Sequence, residues 1–124
     1  MENYYRPLPN MVTIKQSNIE GLGLFASDFI PKNTFLGITH VRHENCKNNY
    51  IRTPLGGFYN HNENPNALSL FSEKYVDYIP GSIIDIEKYK NDIQNPQYRF
   101  MVSLKDIEKD EEIVLKYNLY NPEK

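Results

Sequence analysis

The sequence predicts a mostly β fold, several small sheets with few short helices, and three observations lead there. Short strand-like runs recur along the chain with turn residues between them. No stretch keeps the 3.6-residue apolar period of a long amphipathic helix. Eight prolines and ten tyrosines in 124 residues suit a chain with many corners and half-buried pleated surfaces.

The first run, Met11 to Lys15, gives way to the turn glycines Gly21 and Gly23. Pro31 precedes the second, Thr34 to Thr39. Pro54 with Gly56-Gly57, and then Pro65, break the chain before the third, Ala67 to Phe71. Pro80-Gly81 marks the next corner, followed by a short helical piece over Ile83 to Lys90. The last two runs, Phe100 to Leu104 and Glu112 to Leu115, flank a turn at Asp106 to Asp110. No internal repeat and no domain-sized linker interrupts this order, so residues 1–124 are expected to form one domain.

Composition narrows the function classes. With 40% hydrophobic residues the chain can bury a core. No apolar run is long enough to span a bilayer, and Met1-Glu2-Asn3-Tyr4-Tyr5 lacks the basic-then-apolar order of a signal peptide, so a soluble intracellular protein without a membrane partner is expected. Cys46 is the only cysteine, which excludes an internal disulfide and any multi-cysteine zinc site. A net charge of −2 gives no footprint for direct nucleic-acid binding. Residues 1–60 carry six Lys/Arg and four Asp/Glu, residues 61–124 eight and twelve. The acids Asp106, Glu108, Asp110, Glu111 and Glu112 in the second half form either a solvated turn or a surface that attracts a basic peptide.

Three motifs carry chemistry. In Gly21-Leu22-Gly23-Leu24-Phe25-Ala26 the glycines allow positive φ and close approach of a ligand to the main chain, or simply a turn. The third glycine and downstream acid of a dinucleotide fingerprint are missing. In Phe58-Tyr59-Asn60-His61-Asn62-Glu63-Asn64-Pro65-Asn66 an apolar stretch enters a dense polar turn. The Asn60 amide both donates and accepts, which suits an amino-acid head group or an adenine edge; His61 is open to a role as general base, ligand or structural hydrogen-bonding residue. The third motif, Ser103 to Tyr117, reads as strand, acidic turn and strand ending in a tyrosine, in isolation an ordinary β-hairpin.

Together and in this order the three resemble the SET-domain family of protein lysine methyltransferases, over about Val12 to Tyr120. The early Gly-x-Gly matches Gly21 and Gly23; the asparagine-histidine motif with its proline-asparagine pair matches Asn60, His61, Pro65 and Asn66; the closing strand matches Glu111, Glu112, Ile113 and Tyr117. Chain length and Val41-Arg42-His43 look most similar to compact viral SET proteins. The resemblance implies a β-clip fold and transfer of a methyl group from S-adenosylmethionine, leaving S-adenosylhomocysteine, to the ε-amine of a lysine in a protein substrate, for which a histone is the family's natural candidate. It implies that main chain around Glu20, Gly21, Leu22 and Gly23 holds the methionine part of the cofactor, that Asn60 binds its head group, and that the His61 backbone meets the adenine. Tyr117 takes the catalytic tyrosine position; Tyr50, Leu115 and Tyr120 are candidates for the lysine channel. No metal is required, a homodimer is plausible for so small a domain, and the expected location is the cytoplasm or nucleus, of a host cell if the protein is viral.

The chain departs from the family pattern at Asn62, where serine or cysteine is common, at Asp110, which replaces a frequent glycine, and at Lys116, where aspartate is common and a solvent-facing lysine is expected. The segment from Ser72 to Gln97 is long enough for a substrate lip or for ordinary surface structure. One rival is a non-catalytic SET-like peptide-binding module. A second is a metal site at His40, His43 and Cys46, whose three-residue spacing would share a face only on a helix.

Overall fold

The computed structural model describes residues 8–44, 50–89 and 95–116. Apolar alternation sets the first hairpin. Val12, Leu24 and Ala26 are fully buried, while Lys15 and Gln16 face solvent, so strands β1 (Val12–Gln16) and β2 (Leu22–Ala26) pair antiparallel with Val12 opposite Ala26. The turn between them is closed by the Ser17 amide donating to the Gly21 carbonyl at 2.7 Å, and Gly21 takes φ +50°, a conformation glycine adopts without Cβ strain.

Six more strands follow: β3 (Phe35–Arg42), β4 (Tyr50–Arg52), β5 (Asn60–His61), β6 (Ala67–Ser72), β7 (Tyr98–Ser103) and β8 (Glu112–Leu115). They complete two four-stranded sheets, ordered β1-β2-β8-β5 and β4-β3-β7-β6. The second sheet is antiparallel throughout, with two irregularities in β3 against β7. In the first, β5 runs parallel to β8, with Asn60 opposite Val114 and His61 opposite Leu115.

The two central strands of the second sheet, β3 and β7, are covered on both faces. Leu36 and Met101 join Val12, Leu24, Ile113 and Leu115 in a core between the sheets. Their strand neighbours Phe35, Phe100 and Val102 point the other way, into a core closed by Val76, Tyr78, Ile84 and Tyr89. The described part of the Ser72 to Gln97 segment is therefore a structural cover. It is tied to β3's leading end by Phe35 N–H donating to the Ser82 carbonyl and Ile84 N–H donating to the Asn33 carbonyl. Two of its three tyrosine hydroxyls, on Tyr78 and Tyr89, meet at 3.1 Å; burial, then that hydrogen bond, pushes Tyr89 up to about 12.

A one-turn helix, α1 (Pro54–Gly57), carries the chain from β4 to β5. Thr53 caps it, with proline in the first turn. Its Gly56 sits so close to β3 that an added Cβ would lie 2.3 Å from the Thr39 carbonyl oxygen.

The mostly β expectation holds; four strands lie within two residues of where sequence places them, and β3 runs three residues past the expected end at Thr39. The sequence misses β2 inside the glycine motif, together with the short β4 and β5. The helical piece over Ile83 to Lys90 shrinks to a single 3₁₀ turn at Ile86–Tyr89, with Lys90 outside the described residues. The last two long strands are not a hairpin. β7 and β8 belong to different sheets, and Ile107 in the turn between them bridges to Ile30.

Candidate functional site

Asn60 is the meeting point of the first sheet. Its Nδ2 donates to Glu112 Oε2 at 2.9 Å, with the Glu20 and Leu22 carbonyl oxygens at 3.2 and 3.4 Å. Three acceptors around one nitrogen fix which end of the amide faces them, because a carbonyl oxygen there would meet only other lone pairs. The amide plane is thus pinned against the main chain of residues 20–22, and Oδ1 is the end that remains to accept from a ligand.

Gly23 makes this approach possible. A Cβ built there would lie 2.3 Å from Glu112 Oε2 and 3.1 Å from Asn60 Nδ2. Gly21 differs: nothing lies within 4 Å of its virtual Cβ, and its requirement is the positive φ. One glycine serves space and the other conformation.

Glu112 in turn is held by Ser17, whose Oγ lies 2.9 Å from both carboxylate oxygens and accepts from the Ile19 amide at 2.9 Å. Asn66, 5% exposed, clips the same strand: its Nδ2 donates to the Glu112 carbonyl at 2.8 Å, and its Oδ1 accepts from the Val114 amide at 2.9 Å. Ser17 and Glu112 were not singled out as site residues by sequence. The available signal is a glutamate in a strand beside a Gly-x-Gly strand, where the missing side chain leaves room for a carboxylate.

The neighbouring position holds His61, whose Nε2 lies 2.9 Å from Glu63 Oε2; the other Glu63 oxygen is 3.4 Å from Lys116 Nζ. The His61 hydrogen bond, then Lys116, holds the Glu63 carboxyl below its usual range. Lys116 is half-buried in this ion pair, not a lysine pointing freely into solvent.

The site residues expected from sequence fall into three groups. Glu20, Gly21, Leu22 and Gly23 are brought against Asn60, with His61 next along β5 and Leu115 opposite it on β8. Leu115 is 3% exposed and packs in the core between the sheets. Tyr50 stands apart, on the edge strand of the second sheet, edge-on to the His40 ring at 5.9 Å. Tyr117 and Tyr120 lie outside the described residues.

The acidic turn is solvent-exposed at Asp106, Glu108, Asp110 and Glu111, and three of these acids also have local partners. Asp106 Oδ1 accepts from the Lys32 amide at 2.8 Å, Glu111 Oε1 from the Glu108 amide at 2.9 Å, and Asp110 is 3.5 Å from Lys15 Nζ. Asp110 has φ +72°, which accounts for glycine as the ordinary residue there. The metal alternative loses its premise: His40 lies in extended β3, so a three-residue spacing does not share a face, and Cys46 is outside the described residues. Among the described residues, no three His, Cys, Asp or Glu side chains are grouped to hold a metal, and no helix is long and apolar enough to cross a membrane.

Comparison with known proteins agrees with this architecture. The family described as SET domain matches residues 21–118. A crystal structure from Plasmodium falciparum, described provisionally as a histone methyltransferase, superposes with a TM-score of 0.57 at 22% identity, over 89% of this chain and 95% of that one. At that identity the likeness is one of fold. No curated protein matches in sequence.

Proposed function

Because the chain belongs to the SET domain family, we propose that it is an S-adenosylmethionine-dependent protein-lysine methyltransferase formed by a single domain. The observation that carries this reading is the pinning of the Asn60 amide against the main chain of Glu20 and Leu22, from a motif 40 residues away. The residues present fit the cofactor's amino-acid end. Residues Glu20, Gly21 and Leu22 are exposed, Gly23 keeps the gap clear, and Asn60 Oδ1 offers an acceptor to an ammonium group.

The cofactor supplies a methyl group made electrophilic by its sulfonium. The protein's part is to bind, orient and exclude water. Glu112 and Ser17 hold the Asn60 amide in one orientation, and the His61 main chain, continuous with that strand, is assigned to the adenine. A target lysine must lose its proton before it attacks, since its reference pKa is about 10.4. An apolar wall that includes Leu115 disfavours the ammonium form. Tyr117, two residues beyond Leu115 in the chain, is assigned to orient the neutral amine; Tyr50 and Tyr120 are the further channel candidates. Alignment of this kind is worth about 7–11 kcal/mol in favourable systems. A lysine-containing protein, histone or otherwise, is the proposed substrate, and the likeness to compact viral members and a homodimeric state belong to the same reading.

The test is calorimetric titration of S-adenosylmethionine into the wild type and Asn60→Ala. Binding that weakens at least tenfold in the variant supports the site, and methyl transfer abolished by Tyr117→Phe supports the chemistry. A folded wild type that neither binds the cofactor nor methylates lysine proteins would leave the peptide-binding module as the better reading.

A further inference from the structure

One face of the second sheet carries a cationic row with no counter-ion among the described residues. Arg52 on β4 stands directly opposite His40 on β3, His40 opposite Arg99 on β7, and Arg99 opposite Phe71 on β6. Directly paired residues share a face, so the two arginines flank the imidazole from neighbouring strands. The Arg99 guanidinium lies over the Phe71 ring, 5.0 Å from its centroid. Among the described residues, neither arginine has a carboxylate within ion-pair distance.

Two buried polar atoms on this face also lack a hydrogen-bond partner among the described residues: Arg99 Nε and Ser69 Oγ. Ser69 is 4% exposed and two residues from Phe71 along β6, hence on the same face. Orphaned buried donors cost free energy that a bound acceptor recovers. His40 is 7% exposed and prepared for the same ligand. The Thr39 hydroxyl donates to the Arg99 carbonyl at 3.2 Å, so His40 Nδ1, 2.8 Å from that hydroxyl, donates to it. Nε2 is then the nitrogen that takes up a second proton when negative charge arrives.

We propose that Arg52, His40 and Arg99 form an oxyanion site, and that its occupant is a carboxylate side chain of the protein substrate. The occupant rests on the methyltransferase reading; the site does not. Arginine forks match carboxylates bidentately, and two of them with no acid beside them among the described residues form a receptor, not a closed salt-bridge network. Tyr50, the channel candidate on β4, packs edge-on against His40, which puts the row beside the route assigned to the lysine. Substrates with a glutamate or aspartate near the target lysine are selected, the opposite of a general preference for basic peptides.

Two measurements on the full chain test this. In the first, His40 ring resonances are followed by NMR as sodium acetate or sodium phosphate replaces sodium chloride at constant ionic strength. Both oxyanions shift the ring saturably towards its protonated form, and Arg52→Gln or Arg99→Gln weakens that response about tenfold. Arg52 is exposed at a sheet edge, so its variant avoids the core, and thermal melting checks both folds. A response no larger than that to chloride overturns the site. In the second, methyl transfer is compared among peptides with Glu, Ala or Lys flanking the lysine. The wild type favours the Glu peptide about tenfold in kcat/KM, and the preference collapses in Arg52→Gln. An oxyanion response with no Glu preference during active transfer overturns the proposed occupant. An oxyanion response with no transfer to any peptide supports the site and counts against the methyltransferase reading instead.

Discussion

The Glu112 carboxylate and the Asn60 side-chain amide lie 2.9 Å apart although 52 residues separate them in the chain. The contact joins the end of the glycine turn, the short strand β5 and the final strand β8 at one point. It also decides which atom Asn60 presents outward. A carboxylate accepts only, so it can face Nδ2 and never Oδ1.

Glu112→Gln removes that certainty, because a glutamine amide can donate to Asn60 Oδ1 and let the amide turn over. Affinity for S-adenosylmethionine is expected to fall about tenfold, matching the loss of one charge-assisted hydrogen bond of about 1.5–3 kcal/mol. Ser17→Ala should give a smaller loss in the same direction, since it frees the carboxylate without changing its charge. Calorimetry beside thermal melting reads both; unchanged affinity in Glu112→Gln would show that the carboxylate does not orient Asn60.

Gly23→Ala and Gly21→Ala test two different requirements. The first drives a methyl group into the Glu112 carboxylate and is expected to cost about 1–3 kcal/mol of stability as overpacking does. The second meets open space and costs about 1 kcal/mol for a left-handed φ. Adding Glu112→Ala should recover much of the Gly23→Ala loss and none of the Gly21→Ala loss, a coupling that a double-mutant cycle measures directly.

Much of this was legible in sequence because it depends on local pattern. β1, β3, β6, β7 and β8 show apolar runs bounded by turn residues, and Gly21, Gly23 and Asn60 stand out as motifs. β2 was hidden because its Leu22-Gly23 start reads as turn, although Gly23 there serves close packing. β5 is only two residues long, and its parallel pairing to β8 depends on contacts about 54 residues apart in the chain. The hairpin that Ser103 to Tyr117 suggests in isolation fails for a related reason. Sequence adjacency favours pairing, but Ile107 pairs with Ile30 and the turn passes the chain from one sheet to the other. The part-buried role of Glu112 and the Lys116–Glu63 pair likewise arise only once distant segments meet.

Asp110 offers a test of backbone strain free of the site's chemistry. At φ +72° an aspartate is tolerated better than most residues, and its pair with Lys15 is exposed and contributes little. Asp110→Gly is expected to lie within about 0.5 kcal/mol of wild type, since relief of strain is offset by a more flexible unfolded chain. Asp110→Val should cost about 1–2 kcal/mol, because a β-branched residue fits that φ poorly. Denaturant midpoints of the two variants decide it; equal stability would mean that the turn does not hold its left-handed residue in place.

His40 should make stability depend on pH. Burial first, then the charges of Arg99 and Arg52, lowers its pKa from 6.5 to about 4 in the folded chain. Between those values the unfolded chain binds a proton that the folded chain does not. Stability contributed by the neutral ring is therefore present above about pH 6.5 and is lost as pH falls towards about 4. The loss is expected to be about 1–2 kcal/mol once solvent screening of the exposed Arg52 is allowed for. Among the described residues, Arg52, Arg99, Tyr50 and the Thr39 hydroxyl face the ring and Arg42 lies two residues along the same strand; none of these is a carboxylate. His40→Gln, which keeps a polar partner for Thr39, should flatten the wild-type slope between pH 5 and 6.5 in chloride buffer. Acetate should reduce the wild-type slope and leave the variant's unchanged, because an anion between the arginines brings the folded pKa back towards the unfolded one.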